Sequence, residues 1–207
     1  MSSLTVPDSA ERNDLGSFIA RVVRLDQMAT ARLQGVDGRV VVWASTPFDV
    51  LATRSVHGTV EPADVTVPAA ALLTALTVER AQTVDPGAGG LWQGELPPPA
   101  GWSTVDEVPA AEVEGLTERG LAVARENAGP LGPPASLLDQ TVLTVQGGAG
   151  PAVRVPLRCL FALSGMGFVG DEGGAVRVSA TGSWLRLDAR YGAVVRRRLT
   201  ALPLLVG

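Results

Sequence analysis

VTVPAAALL, residues 65–73, passes from alternating residues through a proline into a run of helix formers. Period-two alternation suits a half-buried strand. Pro68, with its φ preset and no N–H to lose, suits the first turn of a helix. Leu72, Leu73 and Leu76 then fall on one side of that helix. The step recurs at VRVPLRCLF, residues 153–161, where Pro156 opens a short helix with Leu157, Leu160 and Phe161 turned inward. Around the two steps lie two similar runs, ARLQGVDGRVVVWASTPFDVLATRSV (31–56) and VRVSATGSWLRLDARYGAVVRRRL (176–199), each reading as a three-strand meander after a helix. This internal repeat predicts an α+β protein: two helix-plus-antiparallel-meander halves with the helices packed on one face of the sheet.

Working outward, residues 14–25 set Leu15, Phe18, Ile19 and Val22 at i, i+3, i+4 and i+7, an amphipathic helix with Asn13 or Asp14 available as its cap. Asp37-Gly38 is a strong two-residue hairpin signal. From Pro86 to Gly101 the composition shifts to PGAGG and PPPAG, which predicts an N-terminal half at 1–85, a Pro/Gly-rich linker at 86–104 and a C-terminal half at 105–207. Ser103 or Thr104 is read as the cap of the next helix, with Pro109 early in it. Val113, Leu116, Gly120 and Ala124 line its inner face, and Glu112, Glu114 and Glu118 lie mostly outside. AGPLGPPA (128–135) ends it.

Composition excludes several chemistries. The chain has 207 residues, 46% of them hydrophobic, enough for a sizeable core. All 17 basic residues are arginine. Without lysine there is no Schiff base, no P-loop lysine and no Ser-x-x-Lys nucleophile. The single Cys159 rules out an internal disulfide. A polar start without a signal-peptide pattern, and no apolar run of about 18 residues, predict a soluble cytoplasmic protein with no membrane contact. The arginine, alanine and glycine bias suggests a GC-rich bacterial genome. The net charge of −4 is unevenly spread: residues 1–99 carry −4, residues 100–149 carry −5 and residues 150–207 carry +5. An acidic middle and a basic end either face each other, within the fold or in a homodimer, or leave a basic binding face.

Residues 14–76, with helix, hairpin, Phe48-Asp49-Val50 and then VTVPAAALLTAL, resemble the repeating unit of bacterial DNA sliding clamps. In that family a similar aspartate-containing strand precedes a V-x-V-P-x-x-x-L-L step into a helix. The resemblance implies a fold. A clamp subunit is longer, with more copies of the unit, and its DNA-facing helices are basic, whereas helix 14–25 here offers only Arg21 and Arg24.

SGMGFVGDEGG (164–174) contains the G-x-G-x-x-G spacing of a dinucleotide loop in Gly165, Gly167 and Gly170. That loop needs a strand before it and a helix after it. Here a helix precedes and a strand follows, so the glycines read as a turn with Phe168 packing inward. QGGAG (146–150) reads as a hairpin loop and Asp171-Glu172 as a turn. No cofactor or metal is expected. His57 has no nucleophile set against it by any motif, and Cys159 reads as a small core residue.

The arginines say more. In SWLRLDARYGAVVRRRL, alternation places Trp184, Arg186, Asp188 and Arg190 on one face, with Tyr191 nearby. Arg196 and Arg198 share a face, and Arg154, Arg158 and Arg177 extend the patch. The expected binding residues are therefore Arg177, Trp184, Arg186, Arg190, Tyr191, Arg196 and Arg198, types that grip phosphates and stack on bases. Alternatively the arginines guard an exposed sheet and pair with acids such as Asp188. The sequence thus reads as a non-enzymatic interaction module whose partner is nucleic acid, an acidic protein or a second copy of itself. The competing class is an enzyme using scattered carboxylates or His57 at the junction of the halves.

Overall fold

The computed structural model describes residues 2–130, 132–147, 151–170 and 173–198. The chain falls into four successive units. The first is β1 (Ser3–Thr5), α1 (Ser9–Leu25), the meander β2 (Thr30–Val36), β3 (Arg39–Thr46) and β4 (Val50–His57), and a short β5 (Thr59–Glu61). The second is β6 (Asp64–Pro68), α2 (Ala69–Thr74), which widens into a π turn over Ala75–Glu79, and β7 (Thr83–Val84). The third is β8 (Ser103–Pro109), α3 (Ala110–Glu126), α4 (Ala135–Leu138) and β9 (Thr141–Val145). The fourth is β10 (Val153–Pro156), α5 (Leu157–Gly165) and the meander β11 (Ala175–Ala180), β12 (Trp184–Ala189) and β13 (Gly192–Arg197).

Each unit opens on the same step, Val-Pro: Val6-Pro7, Val67-Pro68, Val108-Pro109 and Val155-Pro156. The residue before a proline is held in extended conformation, so each valine carries the extended run up to its proline. All four valines are buried. Pro68, Pro109 and Pro156 take the N-cap position themselves. In the first unit Pro7 stands one residue earlier, and the Asp8 carboxylate caps α1 by accepting the Glu11 N–H at 2.8 Å. Two expectations change here. Helix α1 begins at Ser9, capped by Asp8, not at residue 14 behind Asn13 or Asp14. Ser103 and Thr104 cap nothing: they lie in β8, paired with Ala180 and Ser179 of β11, and α3 starts only after Pro109.

One antiparallel sheet of eight strands, β6-β2-β3-β4-β13-β12-β11-β8, crosses both halves. At its middle β4 meets β13, pairing Leu51 with Val195, Ala52 with Val194 and Thr53 with Ala193. Outward from this joint each side repeats the other: a meander, then the opening strand of the neighbouring unit (β6 beyond β2, β8 beyond β11). The first strand of each complete unit lies in a small separate sheet, β5-β1-β7 or β10-β9. Asp37 and Gly38, both with positive φ, make the predicted turn between β2 and β3. The helices pack on one face. Leu15, Phe18, Ile19 and Val22 of α1, Leu72 of α2, Val113 of α3 and Leu160 and Leu163 of α5 share one core with Val42, Val56, Leu187 and Val194 of the sheet. Phe168 follows α5 inward, where its ring stacks on Phe18 with centroids 6.0 Å apart.

The other sheet face carries a strap. The Pro/Gly-rich segment between β7 and β8 lays Trp92, Leu96 and Trp102 on Trp43, Trp184 and Val195, gathering all four tryptophans of the chain. The strap also touches one sheet edge. Gly90 donates its N–H to the Thr66 carbonyl of β6, so closely that a Cβ there would lie 2.8 Å from Val67 N. At the opposite edge Gly147 lies against β8, where a Cβ would fall 1.9 Å from the Val105 carbonyl oxygen. The expected turn at Asp171-Glu172, most of the QGGAG loop and the apolar end LTALPLLVG fall outside the described residues.

Three outcomes are expected. Phe168→Ala removes a fully buried ring at the meeting of α1 and α5 and should cost about 3–5 kcal/mol in urea unfolding. Gly58 has φ +154, and a Cβ there would sit 2.1 Å from the Thr5 carbonyl. Gly58→Ala should therefore separate β1 from β5 and cost about 1–3 kcal/mol. At the sheet end, hydrogen bonds from Arg32 and then Gln34 hold the Asp64 carboxyl below its ordinary range, against the opposing effect of burial. A depressed carboxyl stabilises the fold above its unfolded pKa and loses that contribution as pH falls through the folded one. Asp64→Asn should thus lower stability by about 0.2–1 kcal/mol near neutrality, the scale of an exposed pair. In melts across a pH series the gap should close on acidification below the usual carboxylate range.

Candidate functional site

The strand alternation on β12 holds: Trp184, Arg186 and Asp188 do share the outer sheet face, opposite Arg197, Val195 and Ala193 of β13. Arg177 of β11 joins them, opposite Asp188. These side chains are mostly engaged. Arg186 pairs with Asp188 at 2.7 Å and Arg177 with Glu107 at 3.3 Å. Trp184 is only 6% exposed, under the strap. The seven expected residues do not form one surface. Arg196 stands opposite Leu185 and so points to the helix side, where it meets Asp49 and Asp139, each at 3.3 Å. Arg198 donates to the Thr181 carbonyl at 2.9 Å. Arg158, read as extending the patch, is buried in α5, bonded to Asp139 and to the Phe48 carbonyl, both at 2.8 Å. The structure does bring together Arg186, Arg190 and Tyr191. With Arg54 they surround a hollow of about 360 Å³ at the β4–β13 joint. The Arg190 guanidinium lies 5.5 Å from the centre of the Tyr191 ring. Sequence reasoning missed Arg197, which faces outward and pairs with Glu95 of the strap.

His57 ends β4, mostly exposed, between two charged partners. Its Nδ1 is 2.8 Å from Glu11 Oε1 and its Nε2 is 2.7 Å from Arg39. A guanidinium only donates, so Nε2 accepts and Nδ1–H donates to Glu11. Burial raises the Glu11 carboxyl, but hydrogen bonds from the His57 side chain and backbone outweigh it and hold Glu11 below its ordinary range. Ser55 Oγ accepts from Arg39 at 2.8 Å, and the two ring nitrogens of His57 are engaged by Glu11 and Arg39 rather than by Ser55. Cys159 is fully buried, and desolvation pushes its thiol up to about 12. Among the described residues no three His, Cys, Asp or Glu side chains gather to hold a metal, and no helix is long and apolar enough to cross a membrane.

A broad concavity lies in the helix layer. A cavity of about 700 Å³ runs between α1, α3 and α5, bordered by Arg21, Glu114, Glu118 and Tyr191. It adjoins a largely apolar hollow of about 390 Å³ lined by Phe48, Leu121, Ala124, Phe161 and Gly165, with Arg125 at its border. Thr117, Leu121 and Ser164 border both, making one groove. Local sequence explains it. Thr117, Leu121 and Ala124 recur at helical spacing on the side of α3 that meets α5. Gly120 lets α3 approach closely; a Cβ there would lie 2.3 Å from a Leu157 methyl. Phe48 comes from the turn before β4, where Asp49 has φ +56. Its carbonyl is held by Arg158, and its ring meets the edge of Phe161 at 6.0 Å. At the glycine turn after α5, Arg21 donates to the Met166 and Gly167 carbonyls at 2.7 and 3.0 Å, and Arg24 to Gly165 at 3.2 Å. Glu114 and Glu118 are exposed, and neither is ion-paired among the described residues. The sequence placed both on the outer side of the helix; Leu121, one turn beyond Glu118, was the remaining signal for a groove.

Comparison with known proteins matches this architecture to bacterial clamps. The sliding clamp of Caulobacter crescentus DNA polymerase superposes with a TM-score of 0.60 at 16% identity, covering 99% of this chain and 67% of the clamp chain. The Bacillus subtilis clamp gives 0.62 at 12% identity, covering 98% and 65%. The DNA polymerase III beta subunit of Thermotoga maritima gives 0.56 at 11% identity, covering 99% and 66%. At these identities the likeness is one of fold, and the fold of this chain is that of a sliding clamp over about two thirds of a clamp's length. No curated protein sequence matches. Residues 1–93 match the family model of a domain of unknown function, DUF8010. Residues 97–201, just over half of the chain, match that of the domain of unknown function DUF8185, and the protein belongs to that family.

Proposed function

We propose that the protein is a non-enzymatic interaction module built on the clamp fold, one that engages a protein partner through its helix layer rather than threading duplex DNA. One observation carries this reading: the helix layer exposes carboxylates where a DNA-facing surface needs unengaged cations. On α3, Glu112, Glu114, Glu118 and Glu126 outnumber Arg119 and Arg125. The arginines of α1 serve the fold instead. Arg12 donates to the Val6 and Pro7 carbonyls, and Arg21 and Arg24 hold the turn after α5. Phosphate binding draws its affinity from released counterions, which requires a row of available cations.

A second reading rests on the hollow at the joint, where Arg54, Arg186 and Arg190 stand near Tyr191. It assigns nucleic acid or an acidic protein to the sheet face. Fluorescence anisotropy of labelled single- and double-stranded DNA, titrated with protein across a salt series, separates the two. The helix-layer reading expects no saturable binding even at low salt. A log K falling against log salt with a slope of about −3 to −4.5, the signature of roughly 3–5 neutralised phosphates, would overturn it. Loss of that binding in Arg186→Glu with Arg190→Glu would move the site to the sheet face.

A further inference from the structure

We infer that the groove between α3 and α5 docks an extended or helical segment of a partner protein, one that presents two apolar side chains beside lysines or arginines. The inference rests on the reading of the protein as an interaction module and names the chemistry of its partner. The groove is graded. Its inner end, among Phe48, Leu121, Ala124 and Phe161, has an almost wholly apolar lining, and its volume lies in the range of small ligand pockets. Its outer end carries Glu114 and Glu118, one helical turn apart on the same side of α3. Two cations border the groove, Arg21 on the far wall, bonded to the Met166 and Gly167 carbonyls, and Arg125 at the inner end, and among the described residues neither forms an ion pair with Glu114 or Glu118.

Charge complementarity selects the occupant. An apolar hollow alone would accept any greasy segment. Two exposed carboxylates beside it, without an ion pair among the described residues, favour a cationic flank and disfavour phosphate, an acidic peptide or an anionic lipid surface. Thr117 has no proton to offer a ligand, because its hydroxyl donates to the Val113 carbonyl at 2.7 Å. Ser164, exposed at the border between the two ends, has a hydroxyl within reach of a bound backbone. Apolar anchors in the hollow give affinity, and the carboxylates set the orientation of the segment along α3.

The test pans random 12-residue phage-displayed peptides against the full chain and measures the enriched peptides, synthesised and labelled, by anisotropy. Enriched sequences should place two apolar residues within about four positions of Lys or Arg. Glu114→Lys with Glu118→Lys should weaken them at least tenfold, and raised salt should weaken the wild-type complex as well. Leu121→Ser should weaken binding by a similar factor through the apolar end. Thermal melts accompany each variant. If Leu121→Ser proves unfolded, the double charge reversal, confined to exposed side chains, still decides. Acidic winners, no enrichment, or affinity indifferent to the charge reversal would overturn the inference. So would self-association abolished by these same variants, which would make a second copy the occupant. None of these results depends on the DNA titration, so the groove can fail while the wider reading stands.

Discussion

Three residue pairs where β4 meets β13 decide the rest of this molecule. Without them each half would end in an open strand, an edge that invites association with other chains. With them two four-stranded sheets become one, and the helix layers of the two halves are brought side by side. The pairing is protected on both faces. Ala52 and Val194 point into the helix-covered core, and Leu51 and Val195 lie toward the tryptophans under the strap. Each end of the joint is also stitched by an arginine reaching across it. Arg54 of β4 donates to the Tyr191 carbonyl at 2.6 Å while pairing with Asp14, and Arg196 of β13 reaches Asp49. Such ion pairs add little stability when exposed. Their geometric effect is to fix the relative register of two chains of packing that share no hairpin.

The groove follows from that register. Phe48 belongs to the first half and Phe161 to the second, and they touch only because β4 and β13 lie edge to edge. The same holds for Arg21 and the turn after α5, and for the Phe18–Phe168 stack. A site assembled across the joint is absent from either half by itself.

Much of this was legible in the chain. The Val-Pro step, the Asp37-Gly38 turn and the spacing of Leu15, Phe18, Ile19 and Val22 are local signals with local causes, and the elements formed where those signals lay. The failures share one character. Ser103 and Thr104 resemble caps, but capping competes with strand pairing, and β11 supplied the partner strand. The Pro/Gly-rich stretch reads as a linker by composition, and Trp92 and Trp102 within it are the residues by which it also packs on the sheet. The arginine patch mixed two faces because alternation orders residues within a strand, whereas exposure depends on what lies over each face. Arg196 and Trp184 are governed by Asp49 and Leu96, respectively 147 and 88 positions away in the chain.

The charge imbalance shows how sequence and fold divide the information. The acidic middle and basic end do meet. Arg177 pairs with Glu107, and Arg158 and Arg196 converge on Asp139. These contacts engage Arg158, Arg177 and Arg196, three of the arginines that made the C-terminal third basic. They do not consume the acids equally. Glu107 and Asp139 lie before and after α3, whereas Glu114 and Glu118 lie on its exposed turns, out of reach of those arginines. Folding therefore converts a sequence-wide asymmetry into a local one, and two carboxylates without an ion pair among the described residues come to rest beside the apolar hollow of the helix layer.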